Sequence, residues 1–243
     1  MKTKSKLSFQ KGNAKLTKDI YTFSLPAGYT CPGALKCLAK ADRTTGKMSH
    51  GPQQEFVCFA AQAEAVYPSV RKSRWANFEL LKAAATREGM AQLIAASLPR
   101  KAKIVRIHVG GDYFSEAYFL AWKDVARARW DVRFYSYTKS VNLWRRLQEF
   151  IPDNLILTAS LGGRYDASTG GLKTAKVVFA EEQAAALGLE IDHDDTHAYD
   201  GGESFALLLH GNQRKGTAAA FAIRELRKAG ITGYSKKKLA AIT

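Results

Sequence analysis

Residues 103–140 read KIVRIHVGGDYFSEAYFLAWKDVARARWDVRFYSYTKS. The first seven are β-branched and largely apolar, as in a short strand buried on both faces. They end in Gly110-Gly111-Asp112, after which Ser115 can cap a helix whose Tyr118, Ala121, Trp122 and Val125 fall at helical spacing. A second strand, 132–137 (VRFYSY), follows at once. The stretch is therefore a βαβ unit with a Gly-rich, acidic tip.

The same alternation extends in both directions. Upstream, residues 20–25 (IYTFSL) form an expected strand that stops at Pro26 and leads into residues 31–58. An Ala-rich segment then breaks at Pro68, and residues 73–97 read as a helix interrupted near Gly89 and closed by Pro99. Downstream, Ser140 can cap a helix with Leu143, Leu147 and Phe150 on one face. Strand 155–160 precedes the flexible-looking LGGRYDASTGG, and strand 175–180 precedes a helix from Glu181 that Gly188 can end. The acidic DHDDTHAYDGG leads to strand 204–209, and a last helix, 217–229, stops at Gly230. Six strands separated by helix or loop argue for βα units on a parallel sheet, which right-handed crossovers curl into an open or partial barrel. The expected fold class is α/β, a partial (βα)6 barrel with parallel strands. It is expected as one domain over residues 1–243 with basic extensions at both ends.

In such folds function collects at the C-terminal ends of the strands. Those ends carry Cys31, Cys37 and Cys58, then Gly110 to Asp112, Thr138 and Lys139, Ser160, and His210. All three cysteines of the chain lie in residues 31–58, CPGALKCLAKADRTTGKMSHGPQQEFVC, where Pro, Gly and isolated polar residues disfavour any long regular element. Three thiolates are one short of a closed zinc site and one short of a fully Cys-ligated cubane cluster. Zinc with His50 as fourth ligand would need C-x5-C-x12-H-x7-C, which matches no common zinc spacing. A [4Fe–4S] cluster held at three irons would leave the fourth open to a ligand. Three unrelated cysteines are the remaining reading, with Cys58 before Phe59-Ala60-Ala61 as a buried apolar residue.

Lys and Arg exceed Asp and Glu by fifteen, a surface field that attracts polyanions and makes nucleic acid an expected partner; solubility alone is the competing explanation. The ends are the most basic parts, from MKTKSK at the start to Lys236-Lys237-Lys238 at the finish. No membrane-length apolar stretch and no signal core are present, so the expected location is cytoplasmic with no membrane partner. An odd cysteine count argues against a disulfide framework. His108 reads as a core histidine. His193, His197, Asp192, Asp194 and Asp195 read as a solvated loop, with a metal-dependent nuclease using Asp194 and Asp195 as the weaker alternative.

A cysteine loop after the first strand, Gly-Gly-acidic after the second and a six-unit partial barrel resemble the radical S-adenosylmethionine superfamily. More closely, YTCPGA, VCFAAQAEAVYPSVRKSRWANFELLK and residues 105–140 resemble the phage and plasmid gene-product-88 family. The superfamily resemblance implies that Cys31, Cys37 and Cys58 hold a [4Fe–4S] cluster, and that S-adenosylmethionine chelates the open iron. Gly110, Gly111 and Asp112 would then meet that cofactor, with Tyr137, Lys139 and Ser160 as further candidates on its side of the rim. The chain departs from the superfamily pattern C-x3-C-x2-C, having five and twenty residues between its cysteines and Asp112 in place of Glu. A longer loop costs only slowly rising entropy, so cluster ligation tolerates it better than cofactor geometry does. The resulting expectation is an iron–sulfur protein acting on or near nucleic acid. Its alternative is a non-catalytic nucleic-acid-binding protein whose cysteines form a structural zinc or cluster site. No residue is assigned a catalytic role.

Overall fold

Strands joined by helical crossovers return to the sheet edge they left, and so pair in parallel. The computed structural model, which describes residues 6–12, 16 and 19–231, shows the following elements. In chain order they are β1 (Gln10–Lys11), β2 (Ile20–Thr22), β3 (Ala39–Ala41), β4 (Met48–His50), α1 (Phe59–Val66), α2 (Pro68–Ala84), α3 (Arg87–Ser97), β5 (Ile104–Ile107), α4 (Glu116–Ala128), β6 (Arg133–Thr138), α5 (Val141–Leu147), β7 (Leu155–Ser160), β8 (Thr174–Val178), α6 (Glu181–Ala186), α7 (Thr196–Tyr199), β9 (Phe205–Leu208) and α8 (Ala218–Lys228). One sheet has the order β1-β2-β5-β6-β7-β8-β9, and β3-β4 is a separate hairpin. Every pair from β2 to β9 is parallel, and β1 alone joins antiparallel. The fold is mixed α/β with a mostly parallel sheet whose neighbours in space are neighbours in sequence. All six expected strands are in it, with their C-terminal ends on one edge.

Alternation along the strands separates two faces. Val105, Ile107, Phe134, Leu155 and Leu157 pack with Leu81, Ile94, Trp122 and Val125 of the helices into the largest core cluster. Ile20, Ile104, Tyr135, Tyr137, Ile156, Ala175 and Phe205 form the opposite face, covered by Leu16 and by Ala198 and Tyr199 of α7. A third cluster joins β8 and β9 to α6 and α8 through Val178, Leu208, Ile223 and Leu226.

Several expectations need correction. The helical stretch 73–97 is two helices starting earlier, and its break is at Ala85 (φ 58°), not Gly89. Thr86 makes the difference: its hydroxyl caps α3 by accepting from Gly89 N at 3.1 Å, which places Gly89 inside the first turn. The cysteine loop does contain regular structure, the β3-β4 hairpin, closed by a turn in which Asp42 Oδ1 accepts from Thr44 N and Thr45 N. The segment after β7 is pinned, because Asp166 accepts from Gly162 N and Gly163 N at 2.8 Å each. Of the basic ends, residues 1–5 and 236–238 lie outside the described residues. No helix among the described residues is long and apolar enough to cross a membrane.

Candidate functional site

The loop carrying the cysteines is laid across the C-terminal ends of the parallel strands. After β2 it continues the sheet with Leu25 N donating to Gly110 O beyond β5. Gly33 then packs on the backbone of Lys139 at the end of β6, so closely that a Cβ there would stand 2.1 Å from Lys139 O. Lys36 N donates to Gly162 O, and Arg164 N to Gly33 O, after β7. Phe56 meets Phe179 after β8, ring centroids 6.4 Å apart, and Val57 N donates to Gln213 Oε1 after β9. One segment thus touches the tips of β5, β6, β7, β8 and β9.

Local turns aim the thiols. Thr30 donates from both N and Oγ1 to Pro26 O, closing the turn that delivers Cys31, and Gly28 N donates to Cys31 Sγ at 3.3 Å. Cys58 is the residue that precedes α1, its carbonyl accepting from Gln62 N. All three cysteines are free and half-buried, and Cys58 packs against the small apolar cluster of Ala27, Ala39, Val57, Ala60 and Ala61, as the competing expectation has it. Burial pushes the Cys31 thiol well up, with Asp112, Cys58 and Cys37 adding to the rise and the Gly28 N–H opposing it. Burial likewise pushes Cys37 up to about 11, against the pull of Lys139 and with Cys58 and Asp112 adding. Cys31 and Cys37 thus each lie close enough to Cys58 and to the Asp112 carboxylate to feel them, and Cys37 feels the Lys139 ammonium as well. Among the described residues, no group of three or more His, Cys, Asp or Glu side chains is placed to hold a metal ion. His50 stands exposed on β4, across the hairpin from Ala39.

The residues expected to meet a cofactor gather here, and protein groups engage them. Asp112 is buried; its Oδ1 accepts from Tyr113 N and Thr138 Oγ1, and its Oδ2 from Lys139 N, at 2.6–2.7 Å. Burial raises its pKa and these donors oppose the rise. Gly111, at φ +87°, is pressed on Leu25 and Thr30 of the cysteine loop, where a Cβ would stand 2.6 Å from Leu25 Cβ and Thr30 Oγ1; Gly110 abuts the Arg74 guanidinium. These glycines let two protein segments meet. Lys139, at its strand-end position on the rim, is only 8% exposed. Its Nζ donates to Ser160 O, Ser160 Oγ and Leu161 O at 2.6–2.9 Å. Tyr137 is the one candidate that points elsewhere, to the opposite sheet face, where its hydroxyl donates to Asp195 Oδ1 (3.1 Å) and Asp192 Oδ2 (3.3 Å).

That face also corrects the reading of the acidic loop. Asp192 and Asp195 are fully buried. Asp195, in a left-handed conformation (φ 67°), accepts from Arg106 Nη1 at 2.5 Å and from the Tyr135 hydroxyl at 2.9 Å. His197 bonds Glu190 through Nε2 at 2.8 Å. His108 lies in the core, its Nε2 at 2.9 Å from the Tyr118 hydroxyl, and burial lowers its pKa to about 3, with Arg106 adding.

Sequence reasoning passed over Glu64, Arg71 and Arg74. Glu64 is buried, accepts from Ala27 N at 2.8 Å and from Arg74 Nη1 at 2.7 Å, and so ties the start of the cysteine loop to α1 and α2. Arg71 donates to Glu64 O and to Arg43 O of the hairpin. The signal was available: α2 buries Arg71, Arg74, Asn77 and Leu81, charges standing where an apolar stripe should run.

No solved structure matches the chain. It is 32% identical over 146 residues to the Gene 88 protein of Mycobacterium phage L5, and 33% identical over 128 residues to the Gene 88 protein of Mycobacterium phage D29. These matches cover 56% and 49% of this chain, and 54% and 47% of the phage proteins, so the chain spans about half the length of the curated relatives it matches. The family model described as Gene product 88 matches residues 3–229, and on that extent the chain belongs to the gene product 88 family.

Proposed function

We propose that this protein is an iron–sulfur protein on a partial (βα)6 barrel resembling that of radical S-adenosylmethionine enzymes, with Cys31, Cys37 and Cys58 holding a [4Fe–4S] cluster and one iron open at the rim. The observation that carries the reading is the placing of all three free cysteines on one loop laid across the strand tips. Parallel strands in sequential order support the barrel, since a sheet always extended at the same edge by right-handed crossovers is one that can curl. The donor set fits the cluster: three thiols are available, and Lys139 offsets part of the charge they acquire as thiolates. The net charge of +15 makes nucleic acid the polyanion on or near which the protein acts.

The cofactor side fits in position and less well in bonding capacity. Bound at an open iron and reduced by one electron, S-adenosylmethionine supplies radical hydrogen abstraction. Gly110 to Asp112 lies directly beneath the cysteine loop, yet three of the roughly four acceptor sites of Asp112 are already taken. Within the protein Asp112 holds the β5 and β6 tips together, and Glu64 with Arg74 anchors the loop. The engagement of Asp112 favours a second reading, a non-catalytic nucleic-acid-binding protein whose cluster or zinc clips the loop.

The test is purification without oxygen, reconstitution with iron and sulfide, and analysis of both together with visible absorption, on the protein and on Cys31→Ser. Matching iron and sulfide with a charge-transfer band that the variant loses is the expected result. A folded, colourless, iron-free protein overturns the proposal. Release of 5′-deoxyadenosine on adding S-adenosylmethionine and a reductant separates the catalytic reading from the clip.

A further inference from the structure

We infer that the cysteine rim binds single-stranded nucleic acid, with two exposed aromatic platforms flanking the thiols as its base-stacking surfaces. The inference rests on the reading of this rim as the functional site and names the partner it takes. Tyr29, two residues before Cys31, is 40% exposed, and its ring stands 4.9 Å from that of Trp75 in an edge contact. Lys40 Nζ lies 5.1 Å over Tyr29, and the Arg43 guanidinium 4.9 Å over Trp75. On the other flank Phe59, the residue after Cys58, is 50% exposed and lies 4.7 Å from the His210 ring at the end of β9. Arg214 and Lys215 are exposed on the same β9 loop, which Gln213 ties to the cysteine segment.

Each of the two exposed rings stands beside a cysteine with cations at hand, Lys40 at Tyr29 and Arg214 and Lys215 on the loop next to Phe59. Rings interleaved with cations match a strand of stacked bases and phosphates, because every base offers a π-face and every link a charge. A duplex hides those faces, so the match is to single strands. The platforms are preorganised. Trp75 continues inward through Phe78 and Phe114, ring centroids 6.0 and 5.1 Å apart, and the hairpin tip is held by Arg71 on the carbonyl of Arg43.

Fluorescence anisotropy of end-labelled single-stranded DNA, single-stranded RNA and duplex DNA of equal length, across a salt series, tests this on the full chain. Iron is assayed on the same samples. Tyr29→Ala and Phe59→Ala are each expected to weaken single-strand binding about 5- to 100-fold, while Tyr29→Phe and Phe59→Tyr keep it. Arg43→Gln and Lys40→Gln are expected to flatten the salt slope by about 0.7 each. Circular dichroism melts confirm that the compared variants are folded. Aromatic variants that bind within about twofold of the parent, duplex bound as tightly as single strand, or an acidic peptide competing on equal terms would each overturn the inference. Binding that survives in iron-free protein leaves it standing and counts against the cluster alone.

Discussion

Two polar assemblies sit on the same strands and differ in how their groups are satisfied. On the sheet face covered by α7, Arg106, Tyr135, Tyr137, Asp192 and Asp195 are bonded to one another. At the rim, Cys31, Cys37 and Cys58 are held near one another by backbone turns and by neighbours such as Glu64 and Asp112, and their sulfurs remain free thiols. Buried polar groups that satisfy each other specify the fold, whereas thiols that take no more than a backbone N–H, as Cys31 takes that of Gly28, keep the capacity to bind a ligand. The acidic loop therefore reads as architecture and the cysteine loop as site.

The comparison breaks most readily at Asp195. Asp195→Asn keeps the side-chain shape and tolerates the left-handed backbone, but leaves the Arg106 guanidinium beside a neutral group. Removing one partner of a buried ion pair costs about 3–5 kcal/mol, read as a lowered denaturation midpoint. A change below about 1 kcal/mol would return the loop to the list of functional candidates. Cleavage of nucleic acid lost in Asp194→Asn with unchanged stability would do the same.

His108 extends the architectural class to just beneath the rim. Its folded pKa, lowered to about 3 from 6.5, means that the native state resists a proton the unfolded chain accepts. Its contribution is present above pH 6.5 and is lost as pH falls toward the folded value, by about 3 kcal/mol at about pH 4. Urea midpoints at several pH values should show this slope in the parent and a flatter one in His108→Asn. The asparagine suits the left-handed φ of 69° at that position.

Asp195 also shows where sequence reading stops, whereas His108 was read as the core histidine it is. The six strands were legible because β-branched runs between turn residues carry their own signal, as in IVRI of β5 and LILTAS of β7. Strand order alone then put the cysteines, Gly110 to Asp112, Lys139 and Ser160 on one edge. Burial of Asp195 was not legible, because Arg106 and Tyr135 that decide it lie 89 and 60 residues away. Tyr137 and Lys139, two residues apart, point to opposite sides of the sheet edge and take unrelated partners. The β3-β4 hairpin was hidden for another reason: strands of three residues carry too little pattern, and this pair forms where Gly28 lets Ala39 approach. Glu64 and Arg74 went unread because their partners are each other and a loop amide.

Gly111 lies where the cysteine loop meets the end of β5. At φ +87°, with a Cβ due to stand 2.6 Å from Leu25 and Thr30, Gly111→Ala must push the cysteine loop off the β5 tip. The expected loss is about 2 kcal/mol, the scale of a strained left-handed position. It should come with faster reaction of Cys31 with a thiol reagent, because the turn that Thr30 closes is the one displaced. Loss of stability with unchanged thiol reactivity would separate the loop from its supposed anchor.

The smallest effect is expected at the thiols themselves. In iron-free protein Cys37→Ser should move the denaturation midpoint by no more than about 1 kcal/mol, since it removes a half-buried sulfur that burial already disfavours as an anion. The same substitution should abolish iron retention. A residue whose loss leaves the fold intact and removes the ligand is being kept for the ligand, as the stability cost of functional groups leads one to expect. Were Cys37→Ser instead to cost as much as Asp195→Asn, the thiols would belong with the architecture and the contrast between the two assemblies would disappear.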